Sequence, residues 1–396
     1  VAATSANAAV VYNQDGTKVD VGGSFRVLLS KNTDERADLK NVGSRVIIKG
    51  TQDLGDGYSA LANLEIRFDK NGTDSFGDIE AKRVYAGFAK EGVGTLTFGK
   101  QLTNLDDVAL SDYTYDLGGV KQTATSGDKV VKFRSADFAG FSFGLDYLFG
   151  ENDKDKYNHK SGFGVSAFYT SPEFAQDTRV NFEAGFSQLK AKSGSFAVDK
   201  DDLKNLPVVG VAADGTKVYN KAALDAVTDK YDEHKVNAFL VGVELVSGPF
   251  AIAVDYSQKK ATDDVNAFDA YGSVYANKVR ELEVGAKYNY LDNASIYGEY
   301  INGKATSADG KDWTKRNTFI LGTDYWFTKS VVAYLEGGTT QYKYDNDDND
   351  DNDDNDDNDD NDDNDDNDDN DDNDDNDDND DKDRDNKIGV GFRVYF

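Results

Sequence analysis

The sequence predicts an all-β protein: a closed antiparallel barrel of sixteen transmembrane strands, with short turns at one rim and long loops at the other. Three observations lead there. Apolar and polar side chains alternate through most of the chain, the period of a strand with two different faces. Most alternating segments reach the ~9–11 residues that cross a bilayer at a tilt, against about 5–6 for a strand of a water-soluble domain. The connections are short and long by turns, as in a membrane barrel.

In order, the segments run approximately over Lys18–Ser30, Val42–Asp53, Tyr58–Phe68, Glu80–Lys90, Gly94–Lys100, Lys129–Ala136, Phe141–Gly150, Ser161–Ser171, Thr178–Lys190, His234–Val246, Phe250–Gln258, Lys278–Tyr290, Ala294–Asn302, Arg316–Phe327, Val331–Lys343 and Lys387–Phe396. In the first, Val19, Val21, Phe25, Val27 and Leu29 share one face, opposite Lys18, Asp20, Ser24 and Arg26. Leu282, Val284, Ala286 and Tyr288 likewise alternate with Glu281, Glu283, Gly285 and Lys287. Tight turns such as Glu91–Gly94, Ser247–Pro249 and Leu291–Asn293 follow one end of the segments; long polar stretches, the largest at Lys190–Glu233, follow the other. Aromatics recur near segment ends (Phe68, Phe149, Tyr169, Tyr256, Tyr300, Phe327), where an interfacial girdle would sit. An even count lets the first strand pair with the last and removes both edges. Alternation alone would also fit a soluble β-sandwich, with its polar faces in water; strand length, loop rhythm and aromatic placement choose the barrel.

Composition removes other classes. The chain has 396 residues, 44 Lys+Arg against 74 Asp+Glu, no Cys, two His and three Pro. Thiolate chemistry is excluded, and a His-based zinc site or His acid–base catalysis has little material. A basic nucleic-acid footprint is absent. No nucleophile elbow or phosphate-binding glycine loop occurs. A non-catalytic protein with no cofactor, no metal and no nucleic-acid partner is expected. Much of the net −30 lies in one place: Asp345–Asp381 repeats Asp-Asp-Asn and holds 25 Asp, so the remainder carries only −5. Residues 1–8 read as the remnant of a cleaved secretory signal, with Ala6-Asn7-Ala8 as the small-x-small site and Ala9 as the mature start. Residues 9–396 then form one barrel domain, exported from the cytoplasm.

The opening Val11-Tyr-Asn-Gln-Asp-Gly-Thr-Lys-Val-Asp20 and the alternating end Val390-Gly-Phe-Arg-Val-Tyr-Phe396 resemble the first and last strands of the Gram-negative general-diffusion porins, most closely the major porin of the Pasteurella and Haemophilus type. The resemblance spans everything except the acidic repeat. It implies a homotrimer in the outer membrane, contacting lipid and lipopolysaccharide. It also implies a last strand read by the barrel assembly machinery through Phe396, and a third external loop folded into the pore as a constriction. That loop is Gln101–Gly127, matching at Asp112-Tyr-Thr-Tyr-Asp116-Leu-Gly-Gly119, with Tyr115-Asp116-Leu117 departing from the usual Pro-Glu-Phe. The facing arginines implied by the resemblance fall on Arg45, Arg83 and Arg134.

The physics of such a throat stands by itself. Guanidinium groups stay charged and are costly against lipid, so they should face a wet lumen. Acids on one side and arginines on the other set a transverse field across a narrow, low-dielectric passage. Arg26, Lys49 and Arg67 share inward faces and extend the basic wall; Asp106 and Asp107 join Asp112 and Asp116 on the acidic loop.

The acidic repeat, 345–381, lies in the last long connection and is expected to be extracellular and disordered, because it has nothing to bury and repels itself. Three readings stay open for it: a variable solvated loop, a cation-attracting vestibule, or specific Ca²⁺ sites, the last without the Gly and closing Glu of an EF-hand. For the whole chain the leading reading is a water-filled channel for passive diffusion of small hydrophilic solutes and ions. The alternatives are a substrate-specific channel, which needs a lumenal ladder of aromatics (Tyr85, Phe168 and Tyr297 are the inward candidates), and a secreted acidic β-sandwich adhesin.

Overall fold

A computed structural model of the chain describes residues 8–68, 74–152, 161–195, 203–213, 215–228, 230–345 and 384–396. The segment read as a signal remnant, apart from Ala8, and the acidic repeat, apart from Asp345, lie outside the described residues.

Sixteen antiparallel strands form the wall: β1 Thr17–Asn32, β2 Arg45–Gly55, β3 Tyr58–Arg67, β4 Glu80–Lys90, β5 Gly94–Leu102, β6 Ser126–Ser135, β7 Phe141–Leu148, β8 Ser161–Thr170, β9 Thr178–Ala191, β10 His234–Ser247, β11 Phe250–Ala261, β12 Lys278–Leu291, β13 Ala294–Thr306, β14 Trp313–Thr328, β15 Val331–Asp345 and β16 Arg384–Tyr395. Each pairs with its neighbours, and β16 returns to β1 from Ser24↔Tyr395 to Asn32↔Lys387. The sheet is closed, as the strand count predicts, and two packed sheets are excluded. Several strands run past the sequence-read limits; β14, for example, begins at Trp313 instead of Arg316. Backbone pairing continues where apolar alternation has already stopped.

The seam has a part the sequence reading lacks. An extra strand, Ala9–Gln14, pairs with the start of β1. Its turn is Asp15-Gly16, both at positive φ (53° and 78°), the geometry that suits the twist of a two-residue hairpin. Where this strand stops, the chain end takes over: Gly23 N–H donates to Phe396 O (2.9 Å) and Phe396 N–H to Gly23 O (3.1 Å). Both chain ends therefore complete one wall position. Ala9–Gln14 escapes periodicity because Ala8-Ala-Val-Val11 is an unbroken small and apolar run.

Side-chain placement is inverted relative to a soluble domain. Leu321 and Phe319 on β14 are 63% and 58% exposed, whereas Asp255 on β11 and Glu283 on β12 are wholly buried. Apolar residues face outward, where only lipid makes them favourable, and charged ones face the axis. Near the short turns, aromatics cluster on the outside: Phe250 stacks on Tyr288 at 4.6 Å and Tyr325 meets Phe327 edge-on at 5.1 Å.

Two long connections fold inward. One is 103–125, described below. The other is the hairpin Phe268–Ala270 with Val274–Ala276, whose Ala270 and Ala276 pack on inward-facing Val279 and Ala305. Tyr271 at its tip donates to Glu281 on β12 (2.9 Å). The resemblance implies only the third loop inside the barrel; this second one lines the interior as well. In 190–233, a hairpin of Val208–Val211 and Lys217–Tyr219 precedes a short helix, Lys221–Ala226.

Candidate pore constriction

The third loop leaves β5 at Leu102 and makes a single 3₁₀ turn, Asn104–Asp107, capped by Thr103. Leu105 and Val108 bury against inward-facing Phe168 and Leu240. Further on, Leu117 and Val120 pack on Ile301 and Ile320. Wall glycines make room for this backbone. A Cβ on Gly285 would lie 2.0 Å from the Ser111 carbonyl oxygen, and one on Gly144 would lie 2.4 Å from the Asn104 side chain.

What fixes the loop is a ladder of wall carboxylates that accept its backbone N–H groups. Asp146 on β7 takes Asn104 (3.1 Å), Glu183 on β9 takes Ala109 (2.9 Å), and Asp255 takes Leu110 and Ser111 (2.8 and 2.7 Å). Glu283 takes Gly119 (2.9 Å), Glu299 on β13 takes Tyr113 and Thr114, and Glu336 on β15 takes Tyr115 and Asp116. The phenols of Tyr113 and Tyr115 donate to Glu244 and Asp324, both at 2.6 Å. Burial first, then these carboxylate partners, raises both phenol pKa values far above the ordinary tyrosine value. A hydrogen bond to a charged acceptor contributes about 1.5–3 kcal/mol, so a ladder of this size determines the path of the loop.

The loop fills the side of the barrel formed by β7–β15 and displaces the open lumen toward β1–β6. There a cavity of about 780 Å³ is lined by Lys18, Asp20, Arg45, Lys49, Asn63, Glu65, Arg67, Arg83, Tyr85, Gln101, Lys132 and, from the loop, Asp106 and Asp107. Four residues of the expected basic wall, Arg45, Lys49, Arg67 and Arg83, thus share one space with two of the expected acids.

The other expected residues sit elsewhere. Arg134 pairs with Asp107 at 3.1 Å and lies 3.6 Å over the Phe168 ring. Arg26 donates to Ser24 (2.8 Å) and lies over the Tyr395 ring. Asp106, already placed in the cavity lining, also pairs with Lys121 at 3.6 Å. Asp116 is turned away from the arginines named in the sequence: its carboxylate accepts from Tyr334 and from Arg393 on β16 (3.2 Å). Asp112 lies beside Glu283 and Glu299. Expecting Asp112 and Asp116 to face Arg45, Arg83 and Arg134 therefore differs from the geometry, because the ladder pulls the loop tip onto the opposite wall. Phe396 occupies the seam.

Two important residues were not singled out in the sequence. Glu65 is nearly buried within the basic wall, 3.1 Å from Arg67 and 3.8 Å from Arg45. Arg45 and Arg67 lie directly opposite across β2 and β3, and like charges so placed repel; Glu65 offsets that. Its place on the inward face with Asn63 and Arg67 was the available signal. Arg393 shares the inward face of β16, directly opposite Arg26.

Comparison with known proteins agrees with this architecture. A Gram-negative porin family model matches residues 1–350. The major outer membrane protein of Pasteurella multocida (strain Pm70) is 41% identical over 356 residues, covering 87% of this chain and 92% of that protein. A second Pasteurella multocida major outer membrane protein is 37% identical, covering 100% and 96%. Among solved structures, outer-membrane expressed OmpT of Vibrio cholerae superposes with a TM-score of 0.66 at 18% identity, over 98% of this chain and all of that one, a likeness of fold. With its closed sixteen-stranded wall and charged interior, this chain belongs to the Gram-negative porin family of outer-membrane channels.

Proposed function

We propose that the barrel is a passive, water-filled channel for small hydrophilic solutes and ions, and that it catalyses no reaction. One observation carries the reading: the 780 Å³ lumen between Arg45, Lys49, Arg67 and Arg83 on the wall and Asp106 and Asp107 on the loop. Charges of opposite sign across a low-dielectric gap make a transverse field. A polar solute aligns its dipole with that field, and an apolar one must displace oriented water. Selectivity is set by the balance of these groups. Among the described residues neither Arg83 nor Lys49 has a carboxylate within 4 Å, and Arg83 Nε has no hydrogen-bond partner, so these are the two cations of the wall without an ion pair.

A substrate-specific channel is less well supported. Of the three inward aromatics only Tyr85 lines the lumen; Phe168 lies beneath the loop and Tyr297 donates to Glu336 (2.8 Å). The chain works, in this reading, as a homotrimer in a lipopolysaccharide-containing outer membrane, placed there by the barrel assembly machinery acting on the strand that ends at Phe396. Planar-bilayer recording of the purified protein tests the channel. Ohmic steps that scale with bulk salt are expected, and a conductance that saturates with one solute would overturn passive diffusion in favour of a binding site.

A further inference from the structure

We propose that the space between the loop tip and the inner wall at Asp112, Glu283 and Glu299 binds a divalent cation of the Ca²⁺ or Mg²⁺ class, which clamps the tip to the wall. Carboxylate oxygens of the three residues lie within 4.8 Å of one another. Glu283 is wholly buried and Glu299 is 5% exposed, and among the described residues no Lys or Arg nitrogen approaches any of the three within 4 Å. Three carboxyl groups so confined could all stay ionised only beside a counter-charge.

An independent observation aims the site. Glu299 Oε1 accepts the N–H groups of Tyr113 and Thr114, but Glu299 Oε2 is buried with no hydrogen-bond partner. That oxygen points at the bare Cα of Gly118. A Cβ there would lie 2.2 Å from Glu299 Oε2, 2.7 Å from Asp112 Oδ1 and 3.0 Å from Thr114 Oγ1. Oxygens of Glu299, Asp112 and Thr114 therefore converge beside the Cα of Gly118, where any side chain would intrude.

The donor set is all oxygen, which suits a hard cation and not zinc or copper. Loop donors already orient the carboxylates: Thr114 N–H and Oγ1 on Asp112 (3.0 and 2.8 Å), Ser111 Oγ on Glu283 (2.8 Å) and Gly119 N–H on Glu283 (2.9 Å). Asp112 is exposed, giving an ion a route from the lumen and room for the water ligands that Ca²⁺ and Mg²⁺ retain.

The test reads the metal and not conduction, so it stands or falls apart from the channel reading. Crystals of the full chain soaked in millimolar TbCl₃ at neutral pH should show an anomalous peak bonded to Asp112 and Glu299. In detergent, Tb³⁺ luminescence excited through tyrosine should report binding near Tyr113 and Tyr115, and Ca²⁺ should displace it. Tyr344 adjoins the Asp-rich repeat, which is common to all variants, so the site is read as the difference in signal between wild type and variant. Glu299→Gln should weaken the sensitised signal by on the order of tenfold, since affinity follows the number of charged ligands. Asp112→Asn alters an exposed side chain and decides the matter should the buried change disturb folding. An empty site in the soaked crystals, or a sensitised signal equal in wild type and Asp112→Asn, would overturn the proposal and leave protons as the neutralising charge.

Discussion

Arg83 and Arg393 are both arginines on inward faces, yet their surroundings give them different work. Arg83 faces the lumen and directly opposes Glu65 across β3 and β4. Replacing it by Glu changes the local charge by two units well within a Debye length of the passage. The cation-to-anion permeability ratio should rise roughly tenfold at low salt and much less at molar salt, read as the reversal potential in a KCl gradient; an unmoved potential would place selectivity elsewhere. Arg393 has a side chain only 10% exposed, bonded to Asp116 and lying 5.0 and 5.4 Å from the Tyr115 and Tyr334 ring centres. Arg393→Ala strands a largely buried carboxylate, which costs about 3–5 kcal/mol. Lower heat stability in detergent and a larger, noisier conductance are expected, with Arg393→Lys restoring part of each. Wild-type stability in the Ala variant would show that the loop does not depend on this pair.

The strands were legible because a wall with lipid on one side and water on the other forces period two on every segment. Loop placement was not. The bond from Arg393 to Asp116 spans 277 residues, and nothing local to Asp112-Tyr-Thr-Tyr-Asp116 says which wall will receive it. The acids that anchor the loop, such as Asp255 and Glu283, read from the sequence as ordinary polar-face residues; that they accept backbone N–H groups emerges only when the loop is laid over them. Inward glycines were equally silent. Gly285 sits on the polar face of β12, and its function is to be absent beneath Ser111. Gly285→Val should therefore push the loop off the wall without breaking the strand's own ladder. Single-channel conductance should increase by roughly twofold or become unstable, while β-sheet content by circular dichroism stays unchanged, because overpacking a close contact costs about 1–3 kcal/mol locally. A normal, quiet channel would mean that the loop has slack the contact distance does not suggest.

At the scale of the whole molecule, the chain carries two opposed charge systems. The lumen wall is rich in Arg and Lys, while the acidic repeat, Asp345–Asp381, adds 25 Asp to the connection between β15 and β16. At physiological salt the influence of the repeat reaches only about 8 Å from each charge, so whether it governs selectivity depends on how close it lies to the entrance. Deleting 346–381 leaves β15 and β16 to be joined by a short connection and removes 24 Asp without touching the throat. If the repeat concentrates cations at the mouth, the deletion should move the reversal potential toward anions, strongly at low salt and hardly at all at molar salt. The single-channel conductance at molar salt should stay within roughly 20% of wild type, because the narrowest passage is unchanged and screening there is nearly complete. A reversal potential unmoved even at low salt would mean that the repeat stands too far from the ion path to act on it, and that the basic wall alone sets the preference.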